Sequence, residues 1–502
     1  MTVIVPPLSE GGRSLLDAEA SVVQRDSASI GVTPEYMQSL IDEMHGRMGL
    51  RLESFRLSCG HAEVIPAAEM PAELLEMTDL SGEMCDHRYY DVVQRTLSHD
   101  FSLNYFVVRD REGKGSGLSG VQPFFVVEQD ILAGMKGKVV RVVEWVRSKF
   151  PRFMTLRTLM LGNPAGPGTL GTRVGATEAE RAAFVDDLAE VIAAYSRRHK
   201  VRLAVFKDFP VEHRQTLTRL TDSSVQDRKA AGFVRLPSMP MTGLLLDQYS
   251  SFEDYMNKTL SKVTRKSLRR KFKLTADEKI EFSVTNDVAD EAEEVYQLYK
   301  QVYDRASMKF EKLTPEFFRE LSRQMPDRVR FFLWRRQGKL VAASITLVAK
   351  KPEARSQKPE EGDASHKMTG GHGDSLSPCH PVILSPPSPS GSWLLASGSS
   401  SSALYDLYLG MEYPLALELS LYFLTIRDVV QWCIENKVST YYSTPLNYDS
   451  KLHLRHHLVP LDLYVRHTSS LLNLPFQFAM RFAEPTRHDK VLPQFANFCD
   501  VK

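Results

Sequence analysis

The chain has 502 residues, 63 basic and 62 acidic, for a formal net charge of +1, with 43% hydrophobic and 25% charged residues. That length allows two or three domains at roughly 150 residues each, and so even a charge balance excludes a dedicated nucleic-acid coat, leaving any anion site to be local. Cys59, Cys85, Cys379, Cys433 and Cys499 are odd in number, scattered and never spaced C-x-x-C, which suggests neither a disulfide framework nor a zinc site.

In chain order, MTVIVPPLSEGGR has no basic region followed by an apolar core, so it does not read as a signal peptide. No segment approaches the ~20 apolar residues that span a bilayer. The expectation is a reduced, cytoplasmic protein. Residues 1–33, with Ser, Gly and Pro and little patterning, read as a flexible lead-in.

Residues 34–240 form a first α/β unit. Helices are predicted over PEYMQSLIDEMHGRM and MCDHRYYDVVQRTLSHD, followed by a strand over Asn104–Gly113 and its return over Gly120–Asp130. Next come the helix-like VVRVVEWVRSKF and a strand, Thr155–Gly162. A periodic helix in EAERAAFVDDLAEVIAAYSRRHK has Phe184, Leu188, Val191, Ile192 and Tyr195 on one face, and a strand over Val201–Phe209 closes the unit.

Residues 241–483 repeat this order. Helices are predicted over FEDYMNKTLSKVTRKSLRRKFK and EEVYQLYKQVYDRA. RVRFFLWRRQGKLVAASITLVAK is strand, tight Q-G-K turn, strand. Ala403–Met411 ends a strand in Leu407-Tyr-Leu-Gly410, as Leu159-Met-Leu-Gly162 does in the first unit. Leu421–Lys437 is the helix and Val438–Leu446 the closing strand. Between the two strands of the hairpin lies the segment 351–402, rich in Ser, Pro and Gly and without periodicity, which reads as a disordered insert. His366, His372, Cys379 and His380 within it fit no zinc template, so no metal is expected. Residues 484–502 are a C-terminal tail.

Asn257–Lys273 carries eight Lys or Arg and no acid. On a helix, Lys258, Lys262, Arg265, Lys266, Arg269, Arg270 and Lys273 share one face and Leu260, Val263, Leu268 and Phe272 the other, with Lys271 out of place. Seven like charges on one face repel, so an anionic partner is expected. A membrane would ask for aromatic anchors, and a nucleic acid for stacking residues and a wider basic surface. A phosphate-bearing substrate or carrier, met by Lys262, Arg265 and Arg269 in the cleft of the second unit, is the preferred reading.

Gly162–Thr177 is a Gly-rich loop between a strand and a helix, whose N–H groups, near Gly166 and Gly168, are candidates to bind phosphate. It lacks GK[ST], so it is no Walker A loop, and a plain connecting loop is the alternative. By strand alternation Asp406 and Tyr408 share a face and reach a cleft together, whereas Tyr405 and Tyr408 do not.

K262-x-x-R265-x-x-L268-R269-R270, then G338-K-L-V-A-A-S-I-T-L-V, L404-Y-D-L-Y-L-G410, Y448-D-S-K451-L-H-L-R455 and V459-P-L-D-L-Y-V465 follow one another in an order that resembles the BioF-like acetyltransferase domain, related to the Fem peptidoglycan aminoacyltransferases. The first half resembles the N-terminal part of such proteins through GVQPFFVVEQD and LRTLMLGNPAGPG. Together the resemblance covers about residues 45–480 without the insert. It implies an α/β fold of two tandem GNAT-like units with mixed sheets, and transfer of an acyl group to an amine. Acyl-CoA is the implied co-substrate, with aminoacyl-tRNA as the alternative donor; Ser450 stands where the Fem pattern has Phe. The resemblance further implies that Lys451 stabilises charge near the reacting groups; Asp406 and Tyr408, from strand alternation, are the other catalytic candidates, and Arg455, in the same stretch as Lys451, is a candidate for substrate binding. A catalytically silent anion- or nucleic-acid-binding module with the same fold is the second class. Thermal-shift stabilisation by acetyl-CoA, against salt-sensitive RNA binding, separates these readings.

Overall fold

The computed structural model describes residues 52–80, 86–97, 101–110, 117–130, 148–149, 155–221, 232–350 and 402–502, except 307, 308, 310 and 483. The predicted lead-in, the helix over 34–48, that over 139–150 except residues 148 and 149, and nearly all of the 351–402 insert therefore lie outside the described residues.

Fifteen strands are described. They are β1 Glu53–Arg56, β2 Gly60–Pro66, β3 Ser102–Asp110, β4 Leu118–Asp130, β5 Thr155–Leu161, β6 Leu203–Pro210, β7 Val234–Pro237 and β8 Met241–Leu245, then β9 Ile280–Thr285, β10 Val329–Arg336, β11 Lys339–Lys350, β12 Ser402–Met411, β13 Thr440–Ser443, β14 His457–Val459 and β15 Leu461–His467. The helices used below are α1 His87–Thr96, α2 Glu178–His199, α3 Phe252–Thr259, α4 Lys262–Ala276, α5 Ala292–Arg305, α6 Pro315–Gln324, α7 Leu421–Glu435, α8 Tyr448–His453 and α9 Ser470–Phe482.

Local chemistry explains the boundaries. Thr177 and Glu180 form a reciprocal capping box that starts α2, and Lys200 ends it in the left-handed conformation. Gln337 and Gly338, both at positive φ, make the two-residue turn between β10 and β11. The basic stretch is not one helix. The chain is extended at Leu260, and Ser261 restarts it by accepting a hydrogen bond from the Thr264 N–H. Nor does the whole predicted apolar side pack: Leu268 is buried, but Val263 is 80% exposed.

The strands form two sheets, ordered β1-β2-β3-β4-β5-β6-β15-β7 and β14-β8-β13-β12-β11-β10-β9. Starting from β2 in one and β9 in the other, the two run in parallel: three antiparallel neighbours, then one parallel pair, β5/β6 or β12/β13. Leu159–Gly162 and Leu407–Gly410 thus mark equivalent strands, as the repeat predicts. Their glycines serve different ends, however. Gly162 has φ +112°, whereas a Cβ on Gly410 would lie 2.6 Å from the Tyr299 backbone nitrogen of α5, so Gly410 permits a close helix–strand approach.

The repeat hides an exchange. β7 and β8 are consecutive in sequence, yet β7 ends the first sheet and β8 lies within the second; β14 and β15 are split the opposite way. β15, which the sequence reading places in the second unit, pairs with both β6 and β7 of the first. The two units also share a core, since Tyr89, Tyr105 and Val107 of the first cluster with Phe317, Leu321, Ile345 and Leu347 of the second. α2 covers the far face of the first sheet, and α3 and α7 that of the second. Residues 484–502 are packed rather than trailing, as Leu492, Phe495 and Val501 bury against Tyr448 of α8 and Leu458 of β14.

β11 and β12 stay paired out to Lys350 and Ser402. Joining these two residues by a short turn in place of 351–401 is therefore expected to leave the melting temperature within about 2 °C of the parent. A larger fall in a calorimetric scan would show that the removed residues add to the core.

Candidate active site

The parallel pair β12/β13 closes at Asp406 and Ser443, and beyond it β12 runs on to Met411 paired with β11 alone. The register of β12 also slips: Ile345 faces Tyr408 and Thr346 faces Asp406, which leaves Leu407 as an extra, bulged residue. A bulge reverses side-chain parity. Tyr405 and Tyr408 therefore share a face, both packing on the core that joins the two sheets, while Asp406 points the other way with Leu404. The alternation expected from sequence is corrected here, and the correction places chemistry on both sides of one opening.

That opening leads into a cavity of about 1030 Å³ between the two sheets. Met160 of β5, Lys207 and Asp208 of β6 and Leu463 of β15 wall it from one sheet. Asp406 to Leu409 of β12 and Tyr441 of β13 wall it from the other, with Tyr422 and Phe423 of α7, Lys451 of α8 and Phe476 and Met480 of α9.

On one side of the bulge, Asp406 accepts a 2.5 Å hydrogen bond from Ser344 Oγ and a 2.7 Å bond from the Tyr441 hydroxyl. Burial pushes its carboxyl above the ordinary range, against the pull of those two donors and of Lys451. Lys451 is only 3% exposed, and its ammonium donates to the Thr444 carbonyl. Burial lowers it to about 7, with the Asp406 charge opposing the fall. Behind it, His456 is buried and held neutral by burial and by the Lys451 charge; its Nε2 has no partner among the described residues.

On the other side, the Tyr408 hydroxyl donates a 2.7 Å hydrogen bond to Glu311 Oε1. Burial raises the Glu311 carboxyl, and Tyr408 donation offsets part of that rise. Glu311 lies in the loop between α5 and α6, where nothing in the sequence separates it from an ordinary surface acid. Lys207 and Asp208, 2.5 Å apart on β6, sit on the same wall.

Lys451, Asp406 and Tyr408, the catalytic candidates read from the sequence, thus come together. The binding candidates do not, apart from Gly166, which lines the cavity. Lys262, Arg265, Arg269 and Arg455 are absent from its wall. Arg265 donates to the Asn257 and Leu260 carbonyls at the end of α3, Arg269 pairs with Glu253, and Lys262 and Arg455 are exposed. The expected phosphate-binding stripe is thus outside this cavity. Lys271, the basic residue off the stripe, is not in the wall either, but its Nζ lies 3.2 Å from the centroid of the cavity-lining Phe423 ring. Gly168 is a packing residue: its N–H donates to the Asp208 carbonyl, and a Cβ there would strike the Lys207 carbonyl and the Phe209 ring. Among the described residues no cluster of three or more His, Cys, Asp or Glu side chains is placed to hold a metal ion, and no helix is long and apolar enough to cross a membrane.

No curated protein sequence matches the chain. Similar solved structures include FemX, at 10% identity over 82% of this chain and 97% of that one with a TM-score of 0.40. A tandem GNAT protein from the clavulanic acid biosynthesis pathway matches at 11% identity over 81% and 99%, TM-score 0.38. The C-terminal domain of a lysylphosphatidylglycerol synthetase homologue from Agrobacterium fabrum matches at 11% identity over 72% and 84%, TM-score 0.36. Similarity this low assigns no residue a role. The FemAB-like family model, described as peptidoglycan biosynthesis/recognition, matches residues 158–352, less than half of the chain. Over that segment, which runs from β5 of the first sheet through β11 of the second, the Fem-related resemblance read from the sequence is borne out.

Proposed function

We propose that the protein is an N-acyltransferase whose reaction takes place at the bulge of β12. The observation that carries this reading is that buried Lys451, close enough to feel the Asp406 charge, stands on one side of the opening and the hydrogen-bonded Glu311 and Tyr408 on the other, within one cavity. An amine acceptor arrives as an ammonium and has to lose a proton before it can attack. Glu311, its carboxyl raised by burial, is the base. The amine nitrogen then forms the C–N bond to the donor carbonyl, the carbonyl electrons move to oxygen, and the protonated Lys451 steadies that oxyanion. When the carbonyl re-forms, the bond to the carrier sulfur or oxygen breaks and the carrier leaves with the proton that Glu311 took; the freed carboxylate then takes the second proton from the new amide nitrogen and passes it to water.

The donor in this reading is an acyl-CoA used as co-substrate. Its phosphates would meet the N-terminal turn of α7, where Tyr422 and Phe423 reach the wall and Lys271 packs over the Phe423 ring. Aminoacyl-tRNA is the second reading. It is favoured by the solvent-facing Lys262, Lys266, Arg270 and Lys273 of α4, which the cavity does not use and which suit a polyanion too large to enter it. Mass spectrometry of ligands co-purifying with the protein, followed by transfer assays with each donor class, tests both.

The pH profile is expected to be bell-shaped. Activity falls at low pH as Glu311 takes up a proton, above the range of an ordinary carboxyl, and falls again near pH 7 as Lys451 loses its own. Glu311→Gln is expected to lower kcat about 10²-fold to 10⁴-fold and remove the acid limb. Asp406→Asn removes the charge that holds the Lys451 proton, so the alkaline limb should move to lower pH. An unchanged profile in both variants would place the chemistry elsewhere.

A further inference from the structure

α9 divides its two sides sharply. Its inner side is fixed to the first sheet and the cavity: Asn473 and Gln477 donate to the Gly232 carbonyl at 2.8 and 2.6 Å, and Phe476 and Met480 line the cavity. Its outer side is not covered by any of the described residues. Leu471 is 90% exposed, Leu474 76%, Phe478 65% and Phe482 60%. At 100° per residue these four fall within an arc of about 80°, so they form a single apolar stripe.

Among the described residues the exposed charges at the two ends of the stripe are mostly basic, with Glu128 opposite Arg157. Thr468, just before the helix, is bonded to the carbonyls of Val201 and Arg202, which brings the exposed Arg197, Lys200 and Arg202 to that end. Arg157, whose carbonyl accepts from the Arg202 N–H, is exposed beside them, and Arg481 is exposed at the other end. α9 itself carries no acid. A second copy of the chain docked symmetrically on this stripe would set these cations against their equivalents. An anionic bilayer surface instead satisfies both the apolar stripe and the basic ends.

We propose that α9 seats the protein on an anionic lipid surface, with Leu471, Leu474, Phe478 and Phe482 inserted among the acyl chains and the flanking arginines and lysine on the headgroups. Because the opposite side of the same helix is cavity wall, the seated protein presents its cavity beside the interface. On the acyl-transfer reading, the acceptor is then an amphiphile whose amine enters from the lipid surface. Binding to the surface does not itself rest on that reading.

The test is flotation of the full chain with vesicles of phosphatidylcholine containing about 30% phosphatidylglycerol, and with phosphatidylcholine alone. The expected result is co-flotation with the anionic vesicles, weakened several-fold on the neutral ones and by salt. Leu471→Asp and Phe478→Asp, both at exposed positions, should each lower partitioning by about tenfold without changing the melting temperature. Failure to float with either vesicle, or equal flotation of wild type and variants, overturns the proposal. So does a wild-type dimer in light scattering that the same substitutions turn into a monomer, with no vesicle binding, since the stripe would then belong to a second copy. A protein that floats but acylates no amine would refute the acyl-transfer reading and leave the seat standing.

Discussion

Lys451→Met is expected to lower kcat about a hundredfold or more while leaving the protein as stable as its parent or more so. The two effects share one cause. The ammonium sits where it is only 3% exposed, and burial drives its titration down to about 7. The folded state therefore holds the charge at a cost that a thioether of similar length does not carry, and replacing a buried ion by an apolar group often gains about 1–4 kcal/mol. The folded value lies below the unfolded one, so between about 7 and the ordinary lysine range the unfolded chain binds more protons. Stability from this group thus rises with pH across that window, and the variant should lose this rise. The loss in rate follows from removing a donor aimed at the developing oxyanion, typically worth 10²-fold to 10³-fold, or about 2.7–4 kcal/mol. Denaturant melts at two pH values and single-turnover kinetics check both sides. A variant with full activity would remove Lys451 from the chemistry, and one that unfolds would make it a structural residue.

Asp462→Ala is expected to destabilise the protein by about 3–5 kcal/mol, and to lower the melting temperature by about 10 °C. Asp462 is fully buried on β15, and its carboxylate takes Arg214 Nε at 2.8 Å and Arg235 Nη1 at 2.6 Å. Both arginines come from the first half of the chain and the aspartate from the second, so this triad pins the exchanged strand. Removing the anion leaves two half-buried guanidinium groups without it. The same exchange makes a second outcome follow: residues 1–240 expressed alone should not fold, because β7 reaches the first sheet only through β15. A cooperative melt from that half by itself would mean that β6 and β7 can close up without the inserted strand.

The sequence by itself was enough for the order of elements and for the repeat. Apolar periodicity, capping residues and turn glycines act within a few residues of each other, so α2, the β10–β11 hairpin and the two Leu-x-Leu-Gly strands were legible locally. Lys451 was also named before the fold, through the resemblance, and Asp406 and Tyr408 through strand alternation. Three things were decided only by the tertiary structure. The bulge at Leu407 depends on how β11 and β12 settle against each other, and by reversing parity it sends Asp406 and Tyr408 to opposite faces. Glu311 becomes a candidate base because a short loop carries it under Tyr408, and the burial that raises its carboxyl comes from residues far away in sequence. The basic stripe shows the converse: its charge pattern is plain in the sequence, but which way a helix face points is set by what packs behind it. Here the break at Leu260 and the docking of Leu268 turn Arg265 and Arg269 onto α3, and Lys271 packs over the Phe423 ring of α7. Side-chain chemistry is written residue by residue, whereas strand partners, burial and the direction of a face are long-range quantities that exist only once both sheets have closed around each other.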